Sequence, residues 1–439
     1  MASIQTIKAR EILDSRGYPT IETMITLDNG IVVSAAVPSG TSTGKHEAVE
    51  LRDNDQSRYY GRGVLKAVKN VNEIIAPVVI GQDPTKQTTI DQILVNLDGT
   101  PNKSKLGANA ILSVSQAVAK AGAATVELPL YEYFKQKYQI VQNYHIPTPI
   151  FNLINGGAHG AGNLDFQEFQ IIPASNKPFY KALQIGSEIF MKLEEVLIAK
   201  GAVHSTGIEG GFAPNLYTNT DAFQLFFETI TRTPYVVAQD VFLGLDAAAN
   251  YFFHGGKYKI RDRNDAFSTK EMIQFYKEVS QQYHVFSLED GLAEDDWDGW
   301  KAMTTELGGT VMMIGDDLLT TSKERVLRAI QEKSCNAVLV KPNQIGTVSE
   351  TVEVVKIAKD AGWQIVFSHR SGETTDDFIA DMAVGLGADY AKFGAPDRGE
   401  RVVKYNRLLQ IESEIAPVPA SPAVSPTPSG MPSTFAPRT

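Results

Sequence analysis

The chain has a single cysteine, Cys335, in 439 residues. No disulfide can form within it, so its stability has to come from packing rather than covalent staples. A lone thiol in an apolar run reads as a small core residue, and a reducing compartment suits this cysteine usage. Apolar runs long enough to cross a bilayer are absent; a spanning helix needs about 20 such residues. The N-terminal stretch MASIQTIKAREILDSRG lacks an apolar core of signal-peptide length. A soluble, cytoplasmic protein with no membrane span is the expectation. Positive charge is in deficit as well: 41 Lys and Arg against 51 Asp and Glu leave a net charge of −10. Nucleic acid, which is held by clustered cations, is not an expected partner. A small anionic substrate is still allowed, because a few converging cations suffice.

What is present is a change of rhythm near residue 145. Residues 4–36 alternate as strands: TIETMITLDNG breaks at Asp28-Asn29-Gly30 and IVVSAAV resumes. A Gly/Ser/Thr loop, PSGTSTGKHEAVELRD, fills 38–53. Helical periodicity runs from about Val64 to Ile75 and returns over 108–124. A smaller α+β domain over residues 1–141 is expected. Pro147 and Pro149 mark its end. Beyond them, strand-like runs at 149–154, 169–173, 241–246, 285–290, 312–317, 337–341, 364–370 and 390–394 are mostly separated by helix-like segments such as 180–200. That pattern predicts an α/β fold, a (β/α)8 barrel of the TIM type over 142–415. It is a variant barrel, because no helix-like segment separates the first two strands. Residues 416–439 hold seven prolines and one charge. Such a segment cannot bury enough apolar surface to offset its ordering entropy, and a disordered tail is expected.

Charged and polar groups end most of the strand runs: Asp246, Glu289-Asp290, Asp316-Asp317, Lys341, His369-Arg370-Ser371 and Lys392. In a parallel barrel the C-terminal strand ends form the reactive face. Taken singly, a carboxylate there is commonly a helix cap or an ion-pair partner. Taken together, converging carboxylates make a hard oxygen site that suits Mg²⁺. A lysine among them can remove a proton if its surroundings lower its pKa. Glu209 stands among glycines in Gly207-Ile208-Glu209-Gly210-Gly211. Partial burial would raise its pKa and let it donate a proton, whereas the plain reading is a turn with an exposed acid. His159 lies in a glycine-rich loop, and Gln167-Glu168 opens the second strand. Two other patterns compete. Gly40-Thr41-Ser42-Thr43-Gly44 matches the nucleophile elbow of serine hydrolases, but it lies ahead of the parallel strands and leaves Lys341 and Lys392 without a role. Gly44-Lys45 suggests a phosphate loop, but Ser39 and His46 stand where that motif needs Gly and Ser or Thr.

These segments together resemble the enolase family. The likeness is carried by AREILDSRGYPTIE, VPSGTSTGKHEAVELRD, NGGAHGAGNLDFQEF, GIEGGFAPN, GLDAAA, SLEDGLAEDDWDGW, GDDL, LVKPNQIG, SHRSGET and KFGAPDRGERVVKYNRLL, in order, from about Ile4 to Ile415. The resemblance implies an N-terminal domain capping a variant barrel. It also implies the reversible dehydration of 2-phosphoglycerate to phosphoenolpyruvate. Two Mg²⁺ ions are implied, the second arriving with substrate. By the same resemblance Asp246, Glu289 and Asp316 hold the first ion and Ser42 reaches the second. Lys341 is similar to the base and Glu209 to the acid. Arg370 and Ser371 look like phosphate contacts, Lys392 a carboxylate contact, and His159, Gln167, Glu168 and His369 further substrate-site positions. A homodimer or an assembly of dimers is implied as well. One departure is Ile208, where the family usually places Asp. Cations near Lys341 are expected to lower its pKa.

Overall fold

The computed structural model describes residues 2–416 apart from 42, 161 and 163. The chain opens on an antiparallel meander of β1 (Ile4–Leu13), β2 (Pro19–Leu27) and β3 (Val32–Ala36). Along β2 the residues at period two (Ile21, Thr23, Ile25, Leu27) are buried, as a sheet with one covered face requires. The cover is the helix Ala108–Thr125, which is buried nearly all round and rich in alanine. Its small side chains let it fit between the meander and the rest of the molecule. Thr23 and Ser113 satisfy each other's buried hydroxyls across this contact, at 2.7 Å.

The second unit is a closed barrel. Its strands are β4 (Thr148–Asn155), β5 (Glu168–Pro173), β6 (Val241–Asp246), β7 (Val285–Glu289), β8 (Met312–Gly315), β9 (Ala337–Val340), β10 (Gln364–Ser368) and β11 (Tyr390–Lys392). The eight runs read from the sequence are these eight strands, with ends shifted by one or two residues. Seven strands run one way. β5 pairs antiparallel with both β4 and β6. The link between β4 and β5, residues 156–167, holds one short turn (Gly157–His159) and, among its described residues, no crossover helix, which suits the reversal. Its consequence is functional: the first residue of β5, Glu168, lies beside Asn155 and Asp246, at the end where the other strands finish.

Alternation along the strands decides which side chains enter the barrel. Ile150, Ile172, Met312, Ile314, Ala337, Leu339, Val366 and Tyr390 form the interior cluster, with Phe242 and Phe286 packed on it. Their neighbours, such as Phe151, Leu243, Met313, Val338, Phe367 and Ala391, face the outer helices. Counting two residues past each interior position reaches Asn152, Asp316, Lys341, Ser368 and Lys392. On β7 a register irregularity between Val285 and Ser287 resets the phase, so Glu289 pairs with Asp246. Period two thus carries the apolar interior directly into a ring of polar groups at one mouth.

The meander and its helices cap that mouth. Ser39 and Gly372 exchange backbone hydrogen bonds of 2.8 and 2.9 Å, and Ser15 N–H donates to the Glu373 carbonyl at 2.8 Å. Glu47 reaches Arg370 at 2.9 Å. Cys335 is buried, as a core residue should be. Of the expected tail, only Ala416 lies among the described residues. No helix among those residues is long and apolar enough to cross a membrane. Trp300 is the largest side chain fully enclosed here, with its indole N–H on the Ala293 carbonyl at 3.2 Å. Trp300→Ala should destabilise the fold by about 3–5 kcal/mol, read from urea denaturation.

Candidate active site

A small cavity at the barrel mouth is lined by His159, Gln167, Glu168, Glu209, Asp246, Lys341, Ser368, His369, Arg370, Ser371 and Lys392. The expected acid, base and substrate residues therefore meet in one place. Glu289 and Asp316 join them through the two lysines. The Lys392 ammonium lies 2.8 Å from both Glu289 carboxylate oxygens, 3.0 Å from Glu168 and 3.2 Å from Asp246. The Lys341 ammonium lies 2.6 Å from Oδ2 of Asp316. Gln167 donates to Asp246 at 3.3 Å, and Ser371 Oγ is 3.1 Å from Nε2 of His159. Ser42 lies outside the described residues. On either side of it, Arg16 donates to the Gly40 carbonyl and to Thr41 Oγ1, and Lys45 and His46 both reach Asp295. The hydrolase elbow lacks its structural setting, since no helix follows this loop directly.

Seven buried carboxyls crowd the mouth: Glu168, Glu209, Asp246, Glu289, Asp290, Asp316 and Asp317. Lys341, Lys392 and Arg370 oppose them, and Arg370 also serves Glu47. The mismatch is felt in their ionisation. Burial, followed by repulsion from Asp246, pushes the Glu289 carboxyl well above the usual range. Burial and then Asp317 and Asp316 do the same to Asp290. Asp317 is pushed up to about 8 by burial and Asp316. Crowded, desolvated acids of this kind are a hard-oxygen donor set, and they fit a divalent cation. Two groupings bring one ligand atom from each member within 4.8 Å of the others: Asp290 with Asp316 and Asp317, and His159 with Glu168 and Glu209. The expected trio of Asp246, Glu289 and Asp316 shares the mouth, but each of its carboxylates is engaged by a lysine ammonium.

Among the protein's own groups, two ionisations run opposite to the expected direction. Burial presses the Lys341 ammonium down, but the surrounding carboxylates, Asp316 foremost with Glu289 behind it, together hold it above the ordinary lysine value. Its cationic neighbours Arg370 and Lys392 lose to the nearer carboxylate. Burial pushes the Glu209 carboxyl up, but His159, His369 and Arg401 together hold it well below the usual range. Both imidazoles are close to it: Nδ1 of His159 is 3.4 Å from Oε1, and Nε2 of His369 is 3.2 Å from Oε2. Glu209 is buried, so the plain reading of an exposed turn is also wrong.

Asn152, Gln344 and Arg401 went unread in the sequence, and the strand-end acid Asp290 gains a specific part. Asn152 donates to Glu209 Oε2 at 3.1 Å, and Gln344 donates to Asp316 Oδ1 at 2.8 Å. Asp290 accepts from the backbone N–H groups of Asp316 and Asp317 at 3.0 and 2.8 Å, fixing the end of β8. Arg401 binds the carbonyls of Ile208, Arg370 and Ser371. Asn152 alone had a signal, its place two residues after Ile150. Ile208, the departure from the family pattern, acts here through its backbone: its N–H reaches the His159 carbonyl at 3.3 Å and its carbonyl accepts from Arg401. Glu209 is therefore held without help from the side chain before it.

Comparison with known proteins points to one family. Residues 4–134 match the family model described as the enolase N-terminal domain, and residues 143–421 match the enolase C-terminal TIM barrel domain. A curated relative, "Enolase 1" of Methylococcus capsulatus, is 48% identical over 415 residues, which is 94% of this chain and 98% of that protein. The chain belongs to the enolase family.

Proposed function

We propose that this chain is a hydro-lyase that interconverts 2-phosphoglycerate and phosphoenolpyruvate with Mg²⁺. One observation carries the reading: Lys341, Glu209 and a set of buried carboxylates line or border a single mouth that also holds Lys392 and Arg370. Family membership supports the same reaction.

The substrate has a poorly acidic C–H bond beside a carboxylate. Asp246, Glu289 and Asp316 would hold Mg²⁺, which would supply positive charge to offset the negative charge that proton removal adds. A second ion, reached by Ser42, belongs to the same reading. Lys341 takes the carbon-2 proton. For that its amine has to be neutral, and the contact that keeps it charged is the one with Asp316. Lys392 faces the substrate carboxylate as a point charge. Arg370 binds the phosphate, its guanidinium already oriented by Glu47 and by Asn343 at 3.1 Å. Ser371 and His159 stand beside it. Glu209, which must first take up a proton against the pull of His159 and His369, gives it to the carbon-3 hydroxyl, which leaves as water while the double bond forms between carbons 2 and 3. His159, Gln167, Glu168 and His369 line that side of the cavity. A cytoplasmic homodimer is part of the proposal.

The test is formation of the conjugated product from 2-phosphoglycerate, followed by absorbance. Product is expected with Ile208 in place, and a folded chain that makes none in the presence of Mg²⁺ overturns the reading. Mg²⁺ should also stabilise the fold, because crowded acids gain a counter-charge. At about 100 times Kd the gain is about 2.7 kcal/mol, read as a rise in Tm over a chelator-treated sample. An unchanged Tm over a wide Mg²⁺ range would argue against the site.

A further inference from the structure

Arg401 lies in the first turn of the helix Gly399–Ile415 and is fully enclosed. One terminal nitrogen, Nη1, is 2.8 Å from Nδ1 of His369 and 2.5 Å from the Arg370 carbonyl. The other, Nη2, donates to the carbonyls of Ser371 and Ile208, at 2.5 and 3.2 Å. A guanidinium stays charged and has donors only. Nδ1 of His369 must therefore accept. A neutral imidazole whose Nδ1 accepts carries its single proton on Nε2. Burial, which outweighs the pull of Glu209, keeps this ring below the ordinary histidine value, and Arg401 adds to the effect.

Nε2 faces Oε2 of Glu209 at 3.2 Å. The amide of Asn152 donates to that same oxygen at 3.1 Å. Oε2 thus accepts from one amide N–H and has Nε2 of His369 within 3.2 Å, so a carboxyl proton placed there would point at donors. Among the described residues Oε1 is approached by Nδ1 of His159 at 3.4 Å, and that nitrogen lies closer to Oε1 of Glu168, at 3.2 Å. The two oxygens of one acid are unequal because of a chain of contacts that starts at Arg401.

We propose that Arg401 is a positioning residue for the dehydration: by fixing the Nε2–H form of His369 it reserves Oε2 of Glu209 as an acceptor and confines the transferable proton to Oε1. Once Glu209 has taken up a proton, in the forward direction the Oε1–H bond breaks and its proton joins the leaving hydroxyl. The carbon–oxygen electron pair leaves with the water, and Glu209 remains as carboxylate. Proton removal from carbon 2 by Lys341 precedes this and does not use Arg401. The inference rests on the hydro-lyase reading, but its first test does not need turnover.

That test is a long-range proton–nitrogen NMR correlation on the protein labelled with ¹⁵N-histidine, with His369 assigned from its loss in His369→Gln. The expected result is a protonated Nε2 and a bare Nδ1; a proton on Nδ1 in the resting wild-type protein overturns the proposal. The second test compares dehydration with exchange of the carbon-2 proton. In Arg401→Met, dehydration should fall about 10- to 100-fold while exchange changes less than about 3-fold. Arg401→Lys, which keeps one donor at Nδ1, should restore the Nε2–H form and most of the lost rate. Equal losses in both assays would mark Arg401 as a purely structural residue and sink the idea. If Arg401→Met does not fold, the wild-type tautomer decides alone. A chain that makes no phosphoenolpyruvate at all overturns the hydro-lyase reading instead, and leaves the tautomer result standing.

Discussion

Lys341→Ala should lower exchange of the carbon-2 proton of 2-phosphoglycerate with solvent by about 10⁴-fold, the upper end for loss of a general base. The upper end applies because the proton is weakly acidic and Lys341 is the amine at the end of β9, inside the mouth and in contact with Asp316. Dehydration should fall by the same factor, since it depends on the same step. The substitution leaves a buried carboxylate without its partner, and breaking such a pair commonly destabilises by about 3–5 kcal/mol. Exchange is therefore to be measured by deuterium NMR on the fraction shown to be folded, with Mg²⁺ present. Survival of exchange in folded Lys341→Ala would move the base elsewhere.

Glu209→Gln should separate the two halves of the reaction. The amide has no acidic proton to give, so dehydration should fall about 10²- to 10⁴-fold. Exchange at carbon 2 should persist within about 10-fold, because Lys341 is untouched. Absorbance reports the first quantity and NMR the second. Burial favours a retained fold, since glutamine keeps the volume, and Asn152 and His369 can still donate to its carbonyl oxygen. Parallel loss of both activities would remove Glu209 from the acid role.

The barrel was legible because its strands are short apolar runs and its outer helices are periodic. Strand-end chemistry was legible for the same reason: a period of two leads from Ile314 to Asp316 and from Leu339 to Lys341. Strand direction was not. Alternation is the same read forwards or backwards, so the reversal of β5 was hidden, and with it the reason why Glu168 belongs at the mouth. The signs of the Lys341 and Glu209 shifts were hidden too. They depend on which partner is nearest in space, and Asp316, His159 and His369 come from other parts of the chain. Arg401 carried no signal of its own in the sequence. Only the packing of that helix against the 369–371 segment turns it inward.

The most direct measurement is the Mg²⁺ dependence of carbon-2 proton exchange in the wild-type chain. The account predicts exchange that appears with Mg²⁺, disappears with a chelator and returns when the ion is restored, as buried carboxylates and a neutral Lys341 amine require. Exchange that runs equally well without a divalent cation, or none at all with Mg²⁺ saturating, would contradict it.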